Sequence, residues 1–125
     1  MKVTYERSGC KQFFKKHRDD EKTIKTCIEN ALDMQLKTGM SKVKRAVSAR
    51  VNGQCVYEFR VNLKRTGSAR VAFIAGNTDV SNEDHDTIDG GDDANVTVLF
   101  ISSTLQKDEF THLLEHDLKE AGLCD

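Results

Sequence analysis

The chain has 125 residues, 38% hydrophobic and 31% charged, which fits one soluble globular domain spanning residues 1–125 with enough length to build a core. No apolar run approaches the roughly 18–20 residues of a membrane-spanning helix, and MKVTYERSGC carries no leader-like apolar stretch, so the expected setting is the cytoplasm, away from membranes. The net charge of -1 conceals a split: residues 1–72 hold 17 Lys and Arg against 7 Asp and Glu, whereas residues 73–125 hold 2 against 13.

KVTYER, residues 2–7, alternates as a short first strand does. Ser8 offers an N-cap for a short helix containing Phe13 and Phe14. Asp19 and Asp20 suit the start of a second helix. Its apolar positions Ile24, Cys27, Ile28, Ala31 and Leu32 form one helical stripe, and Gly39 suits its end. VKRAVSARV, residues 43–51, places Val43, Val47, Ala49 and Val51 on one side of an extended chain. Asn52-Gly53 then matches a type I′ hairpin turn. The clearest strand follows at 55–63. Cys55, Tyr57, Phe59, Val61 and Leu63 point one way, and Val56, Glu58, Arg60 and Asn62 the other. KRTGS leads to a further strand at 69–75. Residues 81–95, SNEDHDTIDGGDDAN, have no apolar periodicity and read as a mobile acidic insertion. VTVLFIS, residues 96–102, is apolar enough for a central strand. A last helix from about Asp108 to Ala121 carries Phe110, Leu113, Leu114 and Leu118, and Gly122 ends it. Helices followed by a run of strands predict an α+β domain: an antiparallel sheet of three to five strands with its helices on one face.

Few motifs carry chemistry. His112-Leu113-Leu114-Glu115-His116 matches H-x-x-E-H, but a catalytic zinc needs a third ligand and a substrate cleft, and only nine residues follow His116. Asp84, Asp86 and Asp89-Gly90 echo a calcium loop without its spacing or its closing glutamate. Cys10, Cys27, Cys55 and Cys124 lack metal-ligand spacing and are expected to remain thiols. There is no phosphate-binding glycine loop and no nucleophile elbow. No metal or cofactor is therefore expected.

The cations of the sheet remain. If the loop closes around Thr66, Arg60 faces Ala72, Asn62 faces Arg70, and the two arginines are diagonal neighbours about 7–8 Å apart. Two such guanidinium groups either clamp a phosphate or stand solvated and partnered by Glu58. Lys64 and Arg65 occupy the hairpin tip, and Lys42, Lys44, Arg45 and Arg50 lie just upstream. Such a concentration suits a polyanion such as RNA, unless the acidic half neutralises it on folding.

The strings VYEFRVNLKRTGSARVAFIAGNTDV and VTVLFISSTLQKDEF resemble the RelE/ParE/HigB toxin superfamily, the toxic partners of type II toxin–antitoxin modules. The matching residues are Tyr57 and Arg60, then Arg70 to Phe73, Leu99 to Ser102, and Gln106-Lys107. The likeness spans the chain except residues 81–95. It implies a RelE-like sheet with two N-terminal helices and a C-terminal helix. It also implies a ribosome-dependent mRNA endoribonuclease that inhibits translation without a metal, and a cognate antitoxin as partner. In that mapping Arg60 and Arg70 bind the phosphate, Lys107 supplies another cation, and His112 is the acid or base. Lys44, Arg45, Lys64 and Arg65 contact RNA. The chain departs from the family pattern at three places. Glu58 stands where one branch has a catalytic lysine, Gln106 replaces an arginine, and no tyrosine follows residue 57. The alternative the resemblance carries is a non-enzymatic toxin or binding protein of the same fold, such as a gyrase inhibitor.

Overall fold

The computed structural model describes residues 1–76 and 95–124. Chain order is β1 (Lys2–Tyr5), α1 (Arg7–Lys16), a 3₁₀ turn (Arg18–Asp20), α2 (Glu21–Lys37), β2 (Lys44–Val51) and β3 (Gln54–Asn62). A second 3₁₀ turn (Lys64–Thr66), β4 (Ser68–Gly76), β5 (Asn95–Ser102) and α3 (Lys107–Glu120) complete it. The acidic stretch 81–95 lies outside the described residues except Asn95, which opens β5 rather than closing an insertion.

Among the described residues five strands form one sheet in the order β1-β5-β4-β3-β2. β2, β3, β4 and β5 pair antiparallel in turn. The expectation of a purely antiparallel sheet is corrected at β1, which pairs parallel to β5 from Lys2↔Asn95 to Tyr5↔Val98. Two helices separate β1 from β2, so no tight turn constrains its direction, and it completes the free edge of β5.

The helices occupy both faces of the sheet, not one. On one face, Phe13 and Phe14 of α1 and Ile24, Ile28, Leu32 and Leu36 of α2 pack on Phe59, Val61, Val71, Phe73 and Val98. On the other, Phe110, Leu114 and Leu118 of α3 pack on Val47, Val51, Val56, Ala72, Ile74 and Leu99. An i, i+4, i+8 stripe makes α3 amphipathic, and the second apolar face of the sheet gives it somewhere to dock. A bulge in β5 lets this happen. The register slips between Ala72↔Phe100 and Phe73↔Val98, and the extra residue, Leu99, turns into the α3 layer.

Local chemistry explains the element ends. Asn52 and Gly53 have φ of 52° and 74°, as the I′ turn demands. Gly39 and Gly122 follow α2 and α3 at φ of 80° and 69°. Ser8 is not an N-cap. Glu6 holds that position without a side-chain bond, and the Ser8 hydroxyl instead donates to Asp117 Oδ2 across to α3 at 3.4 Å. Two bulges break the alternation expected of β2, so that adjacent Ala46 and Val47 are both buried. Gly9 lies flat against β5, where a Cβ would overlap the Leu99 carbonyl.

Candidate functional site

The β3–β4 hairpin sets the geometry. Its register pairs Arg60 with Arg70 and Glu58 with Ala72, two positions from the expected pairing. Lys64 has a φ of 62° and donates its N–H to Asn62 Oδ1, which starts the 3₁₀ turn early. Leu63 N–H then bonds to the Gly67 carbonyl, and the loop centres on Arg65 instead of Thr66. Arg60 and Arg70 are thereby directly opposite, on the face that α3 covers further along the sheet. Ser102 flanks Arg70 on β5. Lys44 flanks Glu58 on β2.

The two arginines have different surroundings. Arg60 is exposed and makes no hydrogen bond or ion pair with any described residue. Arg70 turns inward. Its NH1 donates to Glu58 Oε1 at 2.9 Å and its Nε donates to the Leu105 carbonyl at 2.5 Å. Among the described residues the pair is therefore one free cation beside one engaged cation. Partnership with Glu58, the alternative to a phosphate clamp, holds for Arg70, and Glu58 is the buried charged residue of the described core, at 1% exposure. Its second oxygen, Oε2, is buried with no hydrogen-bond partner among the described residues. Burial pushes the Glu58 carboxyl above its ordinary range, and Arg70, Lys107 and Lys44 pull it back in that order. A carboxyl perturbed by desolvation among cations marks a candidate functional site.

The other expected site residues divide. Lys107 begins α3, behind the Gln106 N-cap whose Oε1 accepts the Glu109 N–H, and its charge acts on Glu58. Lys44 joins the same group through β2. Arg45 instead donates its Nε to Val47 O and its NH2 to Ser48 O, blunting the backbone of its own edge strand. Lys64 is exposed at the hairpin tip. Arg65 beside it is committed to Asp20, with NH2 at 2.6 Å and Nε at 2.7 Å from Oδ1. His112 is exposed on α3, two residues beyond the sheet-facing Phe110 and two before Leu114. That places it about 200° of helical rotation from both, on the outer side, and the fold does not bring it to the arginines. Among the described residues no three His, Cys, Asp or Glu side chains gather to hold a metal ion, and no helix is long and apolar enough to cross a membrane.

One sequence signal could have exposed Glu58. It is the single acid between Asp33 and Asp79, on an alternating strand inside the most basic part of the chain.

Comparison of the chain with protein-family models, with curated proteins and with solved structures finds no match.

Proposed function

We propose that this chain is a RelE-like toxin that cleaves mRNA on the ribosome and is held in check by an antitoxin covering its basic face. The single observation that carries the reading is the convergence of Lys44, Arg70 and Lys107 from two strands and a helix on the buried, elevated carboxyl of Glu58, with Arg60 exposed beside them in register with Arg70. The order of elements supports it as well, with two helices before the antiparallel strands and one after them.

The chemistry this arrangement favours is transfer of a phosphoryl group within the RNA. Glu58 accepts the proton of a 2′-hydroxyl, and the oxygen attacks the adjacent phosphorus. The bond to the 5′ oxygen breaks. That oxygen takes a proton from solvent, leaving a 2′,3′-cyclic phosphate and a 5′-hydroxyl. Arg60, Lys44 and Lys107 offset charge on the phosphoryl oxygens, the effect that usually dominates such reactions. The base contributes roughly 10²–10⁴ in rate. Glu58 takes the place in this scheme that the sequence had suggested for His112.

A second reading follows from one observation. Glu58 is covered in this structure, so a 2′-hydroxyl reaches it only after neighbouring side chains swing aside. A non-enzymatic toxin of the same fold, gyrase-directed or otherwise, needs no such opening. Induced expression separates the two. Growth arrest with falling translation and intact DNA supercoiling supports the ribonuclease, whereas early loss of supercoiling with intact mRNA supports the alternative. A harmless protein overturns both.

A further inference from the structure

We propose that Arg70 is a positioning residue rather than a phosphate ligand: it holds the Glu58 side chain in place and pins the turn that delivers Lys107. This rests on the ribonuclease reading for its purpose, but its observations are independent of it.

Arg70 has two anchored donors. NH1 is 2.9 Å from Glu58 Oε1, and Nε is 2.5 Å from the Leu105 carbonyl. The first contact ties β4 to β3, and the second ties β4 to the chain between β5 and α3. That connection runs from Ser103 to Gln106, and Thr104 N–H is turned back onto Ser102 Oγ at 3.1 Å. Lys107 follows immediately as the first residue of α3. One guanidinium therefore sets both the carboxyl and the entry of the helix whose cation acts on it. A planar fork can hold two acceptors in different directions, which a lysine ammonium does with far less directionality. Its side chain is 21% exposed, so most of its surface is spent on these contacts. Arg60, directly opposite on the same face, has no partner among the described residues and offers its donors to a ligand.

The charged groups acting on Glu58 are Arg70 from β4, Lys107 from α3 and Lys44 from β2, while Arg60 lies two residues along β3 and β5 presents uncharged Phe100 beyond Ala72 at this level. These three charges favour the carboxylate, and among the described residues only Arg70 is bonded to it. Removing Arg70 therefore raises the carboxyl further.

The test uses the full chain with ¹³C-labelled glutamate carboxyls, followed by NMR across pH, together with amide exchange and binding of a 2′-O-methyl RNA oligonucleotide that cannot be cleaved. Arg70→Gln is expected to raise the Glu58 titration by about one unit or more, a tenfold rise in proton affinity. It should speed exchange of the Thr104 amide, which is bonded to Ser102 Oγ, about tenfold and leave oligonucleotide affinity within about threefold. Arg70→Lys should restore the titration in part and the slow exchange hardly at all. Arg60→Ala should do the reverse of Arg70→Gln, weakening binding about tenfold with the Glu58 titration and the exchange unchanged. If Arg70→Gln fails to fold, the paired Glu58→Gln/Arg70→Gln variant removes the uncompensated charge and carries the exchange and binding measurements. Unchanged exchange at Thr104, or a binding loss on Arg70→Gln equal to that of Arg60→Ala, overturns the proposal. No readout depends on cleavage, so an inactive wild type would defeat the ribonuclease reading while leaving this one standing or falling by itself.

Discussion

Arg60→Ala separates binding chemistry from folding more cleanly than any other change in this protein. The side chain is exposed and has no partner among the described residues, so its loss opens no cavity and strands no polar group. Its nearest like charge is Arg70, but Glu58 already compensates that guanidinium. Little repulsion is therefore left to relieve. Exposed changes of this kind stay within about 0.5 kcal/mol of wild type. Loss of a cation facing a charge-developing phosphate should cost roughly 2.7–4 kcal/mol, by analogy with removal of one oxyanion donor, which is about a hundred- to thousandfold in rate. Urea unfolding and single-turnover cleavage of ribosome-bound mRNA read the two quantities separately. An unfolding free energy changed by well over 1 kcal/mol, or a cleavage rate within about threefold of wild type, would refute the reasoning.

Three further expectations follow from the packing. Gly9→Ala should destabilise the fold by about 1–3 kcal/mol or more in thermal or urea melts, because the new Cβ meets backbone atoms of Leu99 and Phe100 that cannot rotate away. The thiol of Cys10, pushed up to about 12 by burial and by Asp117 and Glu6, should react with iodoacetamide at pH 8 far more slowly than those of Cys27, Cys55 and Cys124, as mass spectrometry of the alkylated peptides will show. Glu58 titrates above its ordinary value in the folded state, so the folded protein binds the extra proton. Its contribution is favourable below the unfolded carboxyl range and is lost as pH rises through the folded value. The stability of wild type relative to Glu58→Gln should therefore decline with rising pH over that window, and a difference that is flat or grows would contradict the sign.

Much of this architecture was legible in residue patterns. The alternation of Tyr57, Phe59 and Val61 with Glu58, Arg60 and Asn62 separates the faces of β3 correctly, because a half-covered strand leaves a period of two. Asn52-Gly53 marks its hairpin, and the stripe of Ile24, Ile28 and Leu32 marks α2. The register of the second hairpin was not legible, since it depends on Lys64 adopting a left-handed φ that its side chain does not announce. Placing all helices on one face failed for a similar reason. An amphipathic stripe such as Phe110, Leu114 and Leu118 shows that a helix docks, but not where. The apolar Val56, Ala72 and Ile74 on the otherwise polar face of β3 and β4 were the available sign of a second covered surface. At the site, the cations Lys44, Arg60, Arg70 and Lys107 were visible as a concentration of charge. Their centre was not, because the role of Glu58 depends on burial, and burial is a property of the α3 layer above it. His112 was placed by its distance along the chain, and the helical rotation of α3 takes it to the opposite side.

The claim at the centre of this account is that the carboxyl at residue 58 takes a proton from an RNA 2′-hydroxyl. The most direct measurement incubates the purified chain with programmed ribosomes and identifies the ends of any mRNA fragments. Wild type should yield 2′,3′-cyclic phosphate and 5′-hydroxyl ends. Glu58→Gln, folded and still bound to an uncleavable RNA oligonucleotide, should yield about a hundredfold less product or lower still. Intact mRNA with folded wild-type protein, or undiminished cleavage by Glu58→Gln, would contradict it.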